Sequence, residues 1–178
     1  MYRVLMCAAA GALLISSQAV AQITPTWSDA AETIDPKSAV DFVLSTCLPA
    51  MDDVTHVEKI ARESNWFQLP TTALDSKFTT PHSRWRANGI MVTTWMFKTG
   101  NIPDCFVGFF PNKKVNRDEF LETISASLQL KLTSERSGGK GYRSQTYHIV
   151  GKGLLFLFTS RDNDALSLSI WKDVEDKQ

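Results

Sequence analysis

The chain has 178 residues, 43% of them hydrophobic and 21% charged, a composition that excludes a disordered, collagen-like or coiled-coil protein. That length suits one domain. Its 19 basic side chains balance 19 acidic ones, so no net basic field exists to hold a nucleic-acid backbone, and nucleic acid is not expected as a partner.

Residues 1–21 read as a secretory signal peptide. Arg3 supplies one positive charge, an apolar run extends from Val4 to Ile15, and Ala19-Val20-Ala21 offers small side chains where a signal peptidase cuts. The polar Ser16-Ser17-Gln18 ends the run before it reaches the about 20 apolar residues that a bilayer crossing needs. Cleavage after Ala21 therefore predicts a periplasmic or secreted protein with no transmembrane span. Cys7 leaves with the signal, and Cys47 and Cys105 stay. An even cysteine count in an exported chain predicts a disulfide between them. The competing reading makes one of them a nucleophilic thiol.

Residues 22–34 are polar and aperiodic, an extended lead-in to a single domain over 35–178. Asp35-Pro36 supplies a helix cap followed by proline at the first helical position. Val40, Val43, Leu44 and Cys47 follow at helical spacing, and Pro49 ends the run. Asp52-Asp53 opens a second helix with Val54, Val57, Ile60 and Ala61 on its apolar face, so the pair predicts a helical hairpin. Residues 66–81 read as a loop.

Strand character begins after Ser83. Asn88-Gly89 is a tight hairpin turn between strands over 84–87 and 90–98, and Thr99-Gly100-Asn101 turns the chain into a strand over 102–110. Alternation places Cys105, Val107 and Phe109 on one face. A bond from Cys47 to Cys105 then requires the first helix to cover that face. Asn116 can cap a further helix, with Glu119 placed for a capping box and Phe120, Leu121, Ile124 and Leu128 as its stripe. Beyond it, 131–135, 142–150, 154–160 and 165–172 read as an antiparallel meander. Residues 154–158 are apolar on both faces, which predicts a central strand covered at least in part on each side. No internal repeat is visible. The expected architecture is α+β: an antiparallel sheet of about six strands with an N-terminal helical hairpin and one further helix on one face.

Catalytic signatures are sparse. His56, His82 and His148 do not have metalloprotease spacing, and no metal site or cofactor is expected. No serine sits in a glycine-flanked elbow. The glycines around Lys140 lack phosphate-loop spacing, and Asp162-Asn163-Asp164 lacks the other ligands of a calcium loop. Trp66, Phe67 and Trp85 between Arg84 and Arg86 combine the residue types that carry most protein–protein binding energy, and form the candidate binding patch. The expected function is a non-catalytic binding, inhibitor or immunity-type module for another exported protein or an envelope component. The alternative is a small exported hydrolase or transferase drawing on His148, His82, Ser144, Glu58 or Asp104.

Overall fold

Two capped helices, α1 (Pro36–Cys47) and α3 (Arg117–Leu128), set the frame in a computed structural model that describes residues 32–71, 77, 79–109, 113–139, 141–161 and 165–173. The expected signal peptide over 1–21 and the expected lead-in up to residue 31 lie outside the described residues. Asp35 accepts from the Ser38 backbone N–H at 2.9 Å, with Pro36 at the start of α1. Asn116 accepts from the N–H groups of Asp118 and Glu119, which satisfies donors that the first turn of α3 leaves open. Glu119 reaches back as expected, but to the Asn116 side-chain amide, 2.8 Å away.

Between α1 and the sheet lie a short 3-10 turn (Pro49–Met51) and α2 (His56–Glu63). The second helix starts later than expected, because Asp53 accepts from the backbone N–H and hydroxyl of Thr55 and so closes a turn ahead of it. The expected helical hairpin is not the arrangement found. The main helical neighbour of α1 is α3, while α2 lies against strand β3 (Thr79–Ala87) with Arg62 stacked over the Trp85 indole.

The sheet is antiparallel and eight-stranded. In chain order its strands are β2 (Phe67–Gln68), β3, β4 (Ile90–Phe97), β5 (Ile102–Phe109), β7 (Leu130–Ser137), β8 (Tyr142–Ile149), β9 (Leu154–Arg161) and β10 (Ala165–Lys172), and across the sheet they run β2-β3-β4-β5-β10-β9-β8-β7. About six strands are expected and eight are found: the seven segments with strand character all join this sheet, and the two-residue β2 is the eighth. A separate parallel pair, β1 (Glu32–Ile34) with β6 (Lys113–Val115), is not expected from the sequence either. Segments so short carry no periodicity to read, and β1 forms from the last three residues of the expected lead-in. Asn88 and Gly89 both take positive φ, as the tight β3–β4 turn requires.

One plan is used twice. Each half opens with a three-residue strand, continues through a cap residue (Asp35 or Asn116) into a 12-residue helix, and ends in an antiparallel meander. Buried Ala39, Val43 and Cys47 on α1 correspond in position to buried Phe120, Ile124 and Leu128 on α3. The halves meet at β5 and β10, where Phe106 and Ser169, the fifth residue of each strand, face one another. Moving outward from that pair, Cys105 faces Ile170 and Val107 faces Leu168. That register is what a two-fold axis through the Phe106–Ser169 pair produces. β1 and β6 pair position for position as well, Glu32 with Lys113 and Ile34 with Val115. The repeat was invisible in sequence because no position of α1 and α3, or of β5 and β10, keeps the same residue. Only the first half carries an inserted segment, residues 48–66, where the second passes from α3 to β7 through Gln129 alone.

The helices lie on one face of the sheet. Cys47 is bonded to Cys105 with a Cα separation of 5.4 Å, so α1 covers the face of Cys105, Val107 and Phe109, as alternation required. Phe120 of α3 packs edge-on to Phe109 and stacks on Phe158 of β9. At the positions corresponding to the two cysteines, the second half holds buried Leu128 and Leu168. Helix is thus held to sheet by a bond in one half and by apolar packing in the other. The bridge is the chemistry of an oxidising, exported environment. No helix of the described residues is long and apolar enough to cross a membrane.

The bond closes a loop of sequence separation 58, worth about 4 kcal/mol in the chain-entropy account. A C47A/C105A variant is expected to lose about that much stability in urea unfolding while keeping its far-ultraviolet circular dichroism. Undiminished stability would show that the bond constrains nothing the packing does not already hold.

Candidate functional site

The predicted patch of Trp66, Phe67, Arg84, Trp85 and Arg86 does not come together as one surface. On β3 the side chains of Ser83, Trp85 and Ala87 point to the helices and are buried, whereas Arg84 and Arg86 point to the other face. Trp85 is 2% exposed and belongs to the core. Trp66 also lies on the helix side, stacked on Phe42 of α1 at 5.6 Å. Phe67, opposite Arg86 in the ladder, is 66% exposed. Three of the five, Phe67, Arg84 and Arg86, therefore share the face turned away from the helices. Arg84 lies against Met91, its Nη2 3.1 Å from the sulfur.

That second face has no helix over it among the described residues. Its middle is nevertheless apolar: Trp95 and Phe106 meet edge to face at 6.4 Å, and Leu155, Leu157 and Trp171 continue the surface, all only partly buried. The apolar run 154–158 predicted cover on both sides of β9. Leu154, Phe156 and Phe158 are covered by the helix layer, while Leu155 and Leu157 on the opposite face have no such cover among the described residues. Antiparallel sheets usually present polar side chains on a solvated face, so a partly buried aromatic and aliphatic tract there is the candidate functional surface.

At its centre one row crosses the strands. Asp104 on β5 lies directly between Trp95 on β4 and Trp171 on β10, and Leu155 on β9 and His148 on β8 extend the row. A short carboxylate between two long indoles is recessed, and Asp104 is 8% exposed. Burial pushes its carboxyl up to about 7, against a hydrogen bond with Ser169 that pulls it down. Asp104 Oδ1 and the neighbouring Trp95 Nε1 are both buried without a hydrogen-bond partner. Unsatisfied buried polar atoms are costly to a fold, and Trp85 Nε1 in the core is in the same state.

The internal repeat supplies a comparison for this row. The two-fold relation carries Trp95, Asp104, Trp171 and Leu155 onto Thr159, Ser167, Gly108 and Met91, which form the matching row on the other side of the Phe106–Ser169 pair. The same backbone setting thus accepts small polar residues. Folding does not demand two tryptophans and a buried acid at these places.

The residues held in reserve for catalysis are spread out. Glu58 on α2 and His82 on β3 approach to 3.8 Å at the corner where α2 meets the sheet. His148 lies 3.4 Å from Asp173, and three strand spacings, roughly 14 Å, separate it from Asp104. Ser144 shares a face with His148 but faces Thr159 of β9. His56 Nε2 contacts the Ser45 carbonyl oxygen at 3.1 Å instead of sharing a face with Asp52. Cys105 is occupied by its bond to Cys47, so the thiol reading is overturned. No three His, Cys, Asp or Glu side chains converge as metal ligands among the described residues. Asp162-Asn163-Asp164 and Lys140 lie outside the described residues. Arg143 beside the glycine loop is paired with Glu135 at 3.0 Å.

No family model matches the chain, and neither the curated proteins nor the solved structures yield a match.

The Asp104 environment carries a pH signature. Its carboxyl titrates near 7 in the folded chain against an ordinary aspartate value of 3.8. Between those values the unfolded chain has released the proton that the folded one keeps, so this group lowers stability as pH rises through the window. The penalty is complete above pH 7 and amounts to about 4 kcal/mol at most. Asp104→Asn is therefore expected to match the wild type in urea unfolding at pH 4 and to exceed it at pH 8. An equal difference at both pH values would show that burial does not perturb this carboxyl.

Proposed function

We infer that the chain is an exported, non-catalytic binding module, periplasmic or secreted after removal of residues 1–21. It engages another exported protein or an envelope component through the helix-free face of its sheet. The observation that carries this reading is the partly buried tract of Trp95, Phe106, Leu155, Leu157 and Trp171, on a face where the row related to Trp95, Asp104 and Trp171 by the two-fold axis has Thr159, Ser167 and Gly108. Aromatic side chains that the fold can do without, left partly in water, are the usual anchors of a partner. Phe67, Arg84 and Arg86 extend the same face towards β2 and supply the arginine-and-aromatic rim. The disulfide supports the exported location, since such bonds persist in oxidising compartments.

The alternative, a small exported hydrolase or transferase, rests on the raised pKa of Asp104, a property general acids share.

Tagged mature protein recovered from the native envelope fraction, with mass spectrometry of what accompanies it, tests the reading. Trp171→Ala is expected to lose a partner that the wild type retains, while Arg62→Ala on the helix side retains it. Equal recovery by both variants would move binding off this face. Turnover in a hydrolase panel that disappears in Asp104→Asn would replace the binding module with the enzyme.

A further inference from the structure

The row at the centre of the helix-free face has the elements of a recognition site for one chemical class. Asp104 sits on the floor between Trp95 and Trp171, each its direct partner in the ladder. The backbones of those two tryptophans stand about 10 Å apart, two strand spacings, with the buried acid midway between them. Indole faces are the strongest aromatic partners for cations. The floor carboxyl is more than nine-tenths buried, and its Oδ1 has no hydrogen-bond partner. What perturbs it is desolvation and Ser169, not a neighbouring cation, so the acid lacks a counter-charge. His148, in the same row, is turned to Asp173.

The geometry points to an organic ammonium group as the ligand of this row, held between the Trp95 and Trp171 rings with the Asp104 carboxylate as its counter-ion. This rests on the helix-free face being the binding face. The unpartnered Asp104 Oδ1 is an acceptor that a primary ammonium satisfies and a quaternary one does not, so the cation is a lysine side chain of a protein partner. Asp104 Oδ1 and Trp95 Nε1 are shut off from solvent in the ligand-free chain. Access therefore needs an indole to swing aside, and side-chain flips of partly exposed residues are fast. The two-fold relation explains why the site occurs once: the matching row, which like this one draws on both halves, has Ser167 for the acid and Thr159 and Gly108 for the two rings, and so no such pair of indoles and no charge.

Titration of the mature protein at pH 8, followed by the indole N–H signals in two-dimensional nuclear magnetic resonance, tests the assignment, with Trp95→Phe and Trp171→Phe to assign them. The probes are choline, N-acetyl-lysine methylamide, the neutral choline isostere 3,3-dimethylbutan-1-ol, and maltose. The lysine derivative is expected to shift the Trp95 and Trp171 signals, leave Trp66 and Trp85 in place, and bind more tightly than choline. Tighter binding of choline would overturn the lysine assignment. Asp104→Asn is expected to weaken that binding tenfold or more, and Asp104→Ser, which copies the residue of the matching row, to do the same in a chain that still folds. Equal binding of the neutral isostere, or binding of maltose with no response to either cation, would overturn the ammonium assignment. No response to any probe would overturn it too. If Trp171→Ala still lost the envelope partner in that last case, the binding face itself would stand.

Discussion

The bond between Cys47 and Cys105 joins the C-terminal end of α1 to β5, the strand of its half that forms the junction between the two repeats. It commits the helix layer to one face. With α1 tied to the face of Cys105, α3 packs beside it through Phe120, and α2 closes over Trp85 on the same side. Every apolar stripe on a helix is satisfied there. Among the described residues the opposite face receives no helix, although its strands carry enough apolar side chains to use one. The covalent constraint and the surface available for binding are two consequences of the same choice of face.

On that frame the repeats diverge. The first gains residues 48–66, whose helix covers Trp85, and a cystine where the second has leucines. Divergence on the other face is of a different kind. The Trp95–Asp104–Trp171 row adds large rings and a desolvated acid that the Thr159–Ser167–Gly108 row lacks, and the acid costs stability at neutral pH instead of contributing it. Residues that weaken a fold at one site, while their symmetry mates differ, are where a departure from optimal packing is concentrated.

Much of the local structure was legible because its causes are local. Asp35-Pro36 and Asn116 cap the helices through side-chain bonds within one turn, and Asn88-Gly89 sets a hairpin by its own dihedral preferences. The pairing of Cys47 with Cys105 followed from counting in an exported chain. Reading Trp85 as surface was avoidable: Ser83, Trp85 and Ala87 alternate with Arg84 and Arg86, which already assigns the indole to the opposite face from the arginines. The short strands β1, β2 and β6 had no such signal, since two or three residues have no period and form only because a partner strand is present.

Asp104 shows where that reading ends. Alternation along 102–109 placed it on the face away from Cys105, beside Phe106, and the sequence by itself determined that much, together with the caps, the turns, the cystine and the class of fold. The tertiary structure alone decided that Trp95 and Trp171, nine residues before it and far beyond it in the chain, stand on either side. Strand order and register are set by the simultaneous burial of every stripe against the helix layer, a condition on the whole sheet that no short stretch of sequence contains. The repeat became visible for the same reason, in the pairing of Phe106 with Ser169 and not in any residue the two halves share.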